Sequence, residues 1–156
     1  MFKPYGHGLL IGLGGNGRKT LSRIGAFIND CQLFKVEIGK QYSKNDWQDD
    51  LKSLFKTLGV DNKKVAFQFI LDGVADYLIE DVSNILNVGE VPSLFASEEL
   101  EEIVFEMQKT LSKKQLIGVG GSESYLKELF ATRSKKNLHL LLQISPAGSQ
   151  LRTLIR

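Results

Sequence analysis

The chain of 156 residues has a single cysteine, Cys31, and only three prolines. One cysteine permits no internal disulfide. Without a Cys-x-x-Cys pair or a cluster of Cys and His, a structural zinc site has no ligand set. Neither sign of charge is in excess: 20 Lys and Arg against 18 Asp and Glu leave a formal charge of +2. That is too little to indicate nucleic acid or an anionic membrane from bulk charge. No apolar run approaches the roughly 20 residues of a membrane-spanning helix. The opening Met1-Phe2-Lys3-Pro4-Tyr5-Gly6-His7 has no apolar stretch followed by a small-residue cleavage site, as a secretory leader would. What is present is ordinary: 42% apolar, 24% charged and 9% aromatic residues, the composition of one globular domain with a core. An intracellular, soluble, single-domain chain is expected. Glycine is the exception, with 15 residues that cluster.

Apolar runs alternate with helical periodicities. Gly8 to Gly12, Leu33 to Ile38, Val65 to Asp72 and Leu138 to Ile144 read as strands. Between them, Leu21, Ile24, Phe27 and Ile28 recur as one apolar helix face. Trp47, Leu51, Leu54, Phe55 and Leu58 form the inward positions of a second helix, capped by Asn45 or Asp46 and stopped by Gly59. Leu78, Ile79, Val82, Ile85 and Leu86 mark a third. A fourth opens at Ser97 with Leu100, Ile103, Val104, Met107 and Leu111 inward; its acids come first and its lysines last, as the helix dipole favours. A loop is expected at about 113–124, and a short helix around Tyr125 to Phe130. Strands separated by helices predict a parallel α/β sheet with helices on both faces. Ligands of such sheets bind at the carboxyl ends of the strands, here just after Ile11, Leu71 and Ile144.

After the first strand, Gly12-Leu13-Gly14-Gly15-Asn16-Gly17-Arg18-Lys19-Thr20 approximates GxxxxGK[ST], whose backbone N–H groups and helix N-terminus converge on phosphate oxygens. Arg18 occupies the usual lysine position, Lys19 the hydroxyl position, and Thr20 lies one residue late. The bland alternative is a glycine-rich strand-to-helix turn that binds nothing. A second glycine run, Gly118 to Ser124, lacks a closing glycine and a cation and reads as a loop. Asp72, ending an apolar strand, is the candidate acid on the magnesium side, or else a turn cap. Gly73 follows it where a hydrolase usually has a water-orienting glutamate. Gln143 and Ser145 are candidates to reach a γ-phosphate. His139, inside an apolar run, reads as a satisfied core residue, and Arg152 and Arg156 as a solvated basic tail.

Three segments together resemble the fourth AAA+ module of dynein heavy chains, particularly axonemal ones. They are His7 to Arg18 with Leu21-Ser22-Arg23; Asn84 to Phe95 with its Gly-Glu-Val-Pro-x-Leu-Phe, followed by the acids at 98 to 102; and Lys136 to Leu140 running into Ile144-Ser145-Pro146-Ala147-Gly148 and Leu151-Arg152. The resemblance implies a P-loop NTPase (AAA+) large α/β subdomain over residues 1–156, partial, truncated before the last strand and the helical subdomain. It implies a regulatory site for ATP or ADP with Mg²⁺ in a microtubule motor, with weak or absent hydrolysis of its own. Gly12, Gly14, Gly15, Asn16, Gly17, Arg18, Lys19, Thr20 and Ser145 would face the nucleotide, and Asp72 and Thr20 the metal. Arg152 or Arg156 would act on a neighbouring module. The implied partners are the neighbouring AAA+ modules of the same heavy chain, with microtubules reached only through the parent motor and no nucleic acid or membrane. The implied location is cytoskeletal, in the ciliary axoneme. Two other readings stand beside this one: a purely structural ring segment that binds no nucleotide, and a small P-loop kinase. Without a further strand, the first strand is expected to be an exposed sheet edge, and the chain to self-associate.

Overall fold

The computed structural model describes residues 3–39, 41–111 and 122–146. Among these, four strands alternate with five helices: β1 (Gly8–Ile11), α1 (Arg18–Ile28), β2 (Gln32–Lys35), α2 (Lys44–Gly59), β3 (Val65–Ile70), α3 (Asp76–Asn87), α4 (Ser97–Thr110), α5 (Glu123–Asn137) and β4 (Leu138–Ile144). The sheet is parallel throughout, in the order β1-β4-β3-β2. β4 therefore lies between β3 and β1, with Ile11 opposite Ile144 and Ile70 opposite Gln143.

Strand side chains alternate between two unequal layers. Val65, Phe67, Phe69, Leu138, Leu140 and Ile144 join Trp47, Leu51, Leu58, Val82, Ile103 and Phe130 in the main core, beneath α2 to α5. The opposite face carries Ala66 and Leu141, and it packs Ala26 and Cys31 at the end of α1. The apolar runs of β3 and β4 thus reflect burial on both faces.

Local chemistry explains the helices of the thick layer. α2 begins with a reciprocal cap: Ser43 Oγ accepts from Asp46 N at 3.2 Å, and Ser43 N donates to Asp46 Oδ2 at 2.8 Å. The cap is Ser43, not Asn45, with Asp46 as its partner. All the expected inward positions of α2 are buried. α2 ends at Gly59 as expected, but without a left-handed turn; the glycine serves the packed face of the helix. A Cβ there would meet the Phe130 ring at 2.3 Å, so only glycine lets α5 approach. α5 is longer than the short helix expected from sequence. Its buried residues are Leu126, Phe130, Ser134 and Asn137; two of the four are polar, and they leave no apolar stripe to read. Asn137 Nδ2 donates to Leu58 O at 3.1 Å and Asn62 Oδ1 at 2.9 Å, fixing the end of α5 to the end of α2. The expected loop falls mostly outside the described residues, which resume where Ser122 caps α5.

The expected apolar face of α1 is turned the other way. Ser22 and Ala26 face the sheet, while Leu21, Ile24, Phe27 and Ile28 are exposed, Phe27 by 86%. On the sheet surface under α1, Ala66 and Leu141 pack Ala26, and the buried amides of Gln68 and Gln143 share that face, so the helix presents small residues to it. β1 is an edge of this sheet, and its Leu9 and Ile11 are also exposed. We expect the purified chain to self-associate as its concentration rises, and Phe27→Glu to reduce the effect. Static light scattering that reports a monomer throughout would contradict this.

At the amino end of β4, His139 is 2% exposed, and its Nδ1 lies 2.9 Å from Gly6 O. Leu140 N donates to His7 Nδ1 at 3.0 Å. Burial holds both imidazoles below the ordinary histidine range, and for His7 the neighbouring His139 adds to the effect. Their folded pKa values are depressed, so the unfolded chain takes up protons first as pH falls. Stability from these groups is full above the ordinary histidine pKa of about 6.5 and declines as pH drops through it. The capping Asp46 and the ion-paired Glu99 also have lowered pKa values, but as carboxylates they lose stability only in more acidic solution. Thermal melts should show Tm falling between about pH 7.5 and about 5.5, with a shallower fall in His7→Gln. A flat profile over that window would refute the assignment.

Candidate phosphate-binding site

The carboxyl ends of β1, β4 and β3 are adjacent, and the segments that follow them are bonded to one another. Gly12 N donates to Ile144 O at 3.2 Å. Leu71 N donates to Gln143 O at 2.9 Å, and Ser145 N to Asp72 Oδ1 at 2.7 Å. The three positions expected from strand ends alone are therefore brought together around β4.

The glycine loop spans from β1 to α1. Gly15 and Gly17 have φ values of +86° and +70°, which a side chain would strain. Gly17 occupies the cap position of α1 and offers no side chain to its first turn. No acid lies in that turn. The N-terminus of α1 thus keeps the partial positive charge of its unbonded amides for an outside partner. Gly14, Gly15 and Asn16 are exposed along the loop, and Thr20 is exposed just beyond Lys19.

Arg18 folds back over the loop, its Cδ 3.6 Å from the point where a Cβ on Gly12 would sit. Its side chain is only 15% exposed. Nη2 lies 3.7 Å from Asp72 Oδ2, and Nη1 is buried with no hydrogen-bond partner. A nearly buried guanidinium with one unanswered donor is an arrangement that an anion would complete.

Gln143 does not serve as a candidate phosphate contact. It is 1% exposed, and its Nε2 donates to Ser22 Oγ at 2.8 Å and to Arg18 O at 3.3 Å. Ser22 Oγ in turn donates to Arg18 O at 3.0 Å. The amide fastens the first turn of α1 to the central strand, so it positions the loop. Ser145 takes part through its backbone N–H to Asp72. Arg152 and Arg156 lie outside the described residues.

Beside the loop, a cleft of about 740 Å³ opens over the ends of β2 and β3. Lys19, Arg23, Lys35, Glu37, Gln68 and Asp72 contribute its polar lining; Thr20 is not among the lining residues. Lys35 Nζ pairs with Glu37 Oε1 at 2.7 Å. Gln68 is buried with an unpartnered Nε2. Arg23, Lys35 and Gln68 escaped the sequence reading. The one available signal was the placement of Lys19 and Arg23 four residues apart on α1, which puts them on one side of the helix.

The family described as P-loop containing dynein motor region D4 matches residues 1–156. The chain is 39% identical to "Dynein axonemal heavy chain 10" of Homo sapiens over 97% of its length, covering 3% of that protein. It is 37% identical to "Dynein-1-beta heavy chain, flagellar inner arm I1 complex" of Chlamydomonas reinhardtii over 96% of its length, again 3% of the relative. A further similarity, 36% over 94% of the chain, is to "Dynein axonemal heavy chain 8" of Homo sapiens. The chain spans about 3% of the length of these curated relatives.

The fastening of α1 is testable apart from any ligand. Gln143→Ala removes two buried hydrogen bonds and leaves a void, so urea denaturation should show a loss of about 1–3 kcal/mol. An unchanged midpoint would show that the amide does not hold the helix.

Proposed function

The chain belongs to the P-loop dynein motor region D4 family, and from that premise we propose that it is a nucleotide-binding, regulatory AAA+ module. Its ligand is ATP or ADP, and its own hydrolysis is weak or absent. The observation that carries this reading is Arg18: a guanidinium 15% exposed, with Nη1 buried and unpartnered, beside a loop whose helix N-terminus has no side-chain cap. Gly12, Gly14, Gly15, Asn16 and Gly17 supply the backbone around the phosphates, and Arg18 and Lys19 supply charge. Ser145 and Asp72 close the side formed by β4 and β3, joined by their 2.7 Å hydrogen bond.

Poor hydrolysis follows from what flanks Asp72. Gly73, not a glutamate, comes next, and Glu37, the one glutamate lining the cleft among the described residues, is paired with Lys35. A water molecule there has no carboxylate dedicated to orienting it. In the assembled motor, the module takes its place among the other AAA+ modules of a heavy chain, and Arg152 or Arg156 serves a neighbouring nucleotide. The axonemal names of the relatives support a ciliary location.

One observation favours the second reading, a structural segment without nucleotide: Asp72 already faces Arg18 at 3.7 Å, giving the loop cation an internal partner. Titration with a fluorescent ATP analogue separates the two. Saturable binding, weakened about tenfold or more in the Arg18→Ala, Lys19→Ala double variant, is the expected result. An absence of binding at millimolar nucleotide would establish the structural reading instead.

A further inference from the structure

Magnesium in a phosphate loop is held by the hydroxyl at the second position of the helix and by the acid ending a neighbouring strand, while it bridges phosphate oxygens. The side chains here do not fit that role. The second residue of α1 is Lys19, which carries an ammonium in place of a hydroxyl oxygen. The hydroxyl of Thr20 comes one residue later, on an exposed position away from the cleft lining. Both oxygens of Asp72 are engaged, Oδ1 by Ser145 N at 2.7 Å and Oδ2 by Arg18 Nη2 at 3.7 Å. Among the described residues, no group of three or more His, Cys, Asp or Glu could hold a metal ion.

The charge balance points the same way. Of the cations at the loop and its cleft, Arg18 is paired with Asp72 and Lys35 with Glu37. Lys19 and Arg23 line the cleft with no carboxylate within ion-pair distance among the described residues; Lys19 acts on Glu37 only at longer range. A dication entering beside them meets like charge. A polyphosphate meets the charge that magnesium would otherwise bring.

We infer that this site binds the phosphates of its nucleotide without magnesium, Lys19 standing in place of the metal and Arg18 completing the neutralisation. The inference rests on the nucleotide-binding reading above and concerns the same site. An anion with three or four negative charges is then held by fixed protein cations and by the amides of α1. Asp72 keeps Arg18 and the Ser145 segment in position, and its charge is already answered by Arg18. The metal-assisted activation of a γ-phosphate is missing along with the metal, which agrees with weak hydrolysis.

Calorimetric titration of the 156-residue chain with ADP, in excess Mg²⁺ and in excess EDTA, tests this directly. The expected result is affinity in EDTA at least equal to that in Mg²⁺. Weakening by about tenfold or more in EDTA overturns the inference while leaving nucleotide binding intact. No binding in either buffer overturns the reading beneath it, and this inference with it. The variant Lys19→Thr, which restores a hydroxyl at the second helical position, should bind about fivefold or more tightly with Mg²⁺ than with EDTA. Equal affinity of that variant in the two buffers overturns the role given to Lys19. Because the first comparison uses the unaltered chain, it stands even where the variant folds poorly.

Discussion

The placement of β4 between β1 and β3 is the constraint on which the site depends. It makes neighbours of three strand ends that are far apart in sequence. The backbone then locks them: Gly12 to Ile144, Leu71 to Gln143, Asp72 to Ser145. In a parallel sheet every strand must be reached by a crossover, and a late strand inserted beside the first opens a crevice at their shared end. The glycine loop enters that crevice because β1 ends there. Gln143, in the inserted strand, bonds back to the first turn of the helix that the loop begins. One strand thus sets both the position of the acid and the orientation of the amides.

Much of this was legible in the sequence. The four strands, the inward face of α2 and the meeting of Gly12, Asp72 and Ser145 could be read from apolar runs, helical spacing and the rule that α/β ligands sit at strand ends. Asp72 lies beside Ser145 because Leu71 continues the pairing to Gln143 after the strand itself ends. What could not be read has physical causes. The stripe Leu21, Ile24, Phe27, Ile28 has helical period, but period alone does not say which face meets a sheet surface that buries Ala66, Leu141 and two amides. α5 buries serine and asparagine, so its length left no hydrophobic signature. Gly59 looks like a helix stop in one dimension, and only its neighbour Phe130 reveals a packing contact.

Two polar residues near the glycine loop show a shared difficulty. Gln143 lies near the end of an apolar strand next to the glycine loop, where a ligand contact is a reasonable expectation; in the fold its amide is turned inward and its Nε2 donates to Ser22 Oγ and Arg18 O. Lys19 reads as a lost hydroxyl. Its significance lies in the cleft it shares with Arg23 and Lys35, contributed by different elements. In both cases the residue type was visible and its partners were not.

The two faces of the sheet are fastened very unequally. α2 to α5 share a large aromatic and aliphatic core, whereas α1 rests on Ala26, Ser22 and a few hydrogen bonds. A helix held by so few buried side chains is therefore the one whose N-terminus would grip a ligand. Any molecule bound there adds its binding free energy to that thin seam, by mass action. Cys31, buried where α1 hands over to β2 with its thiol pKa raised chiefly by burial, is chemically quiet only while that seam is closed. A molecule held at the loop and a quiet thiol would both report a docked α1.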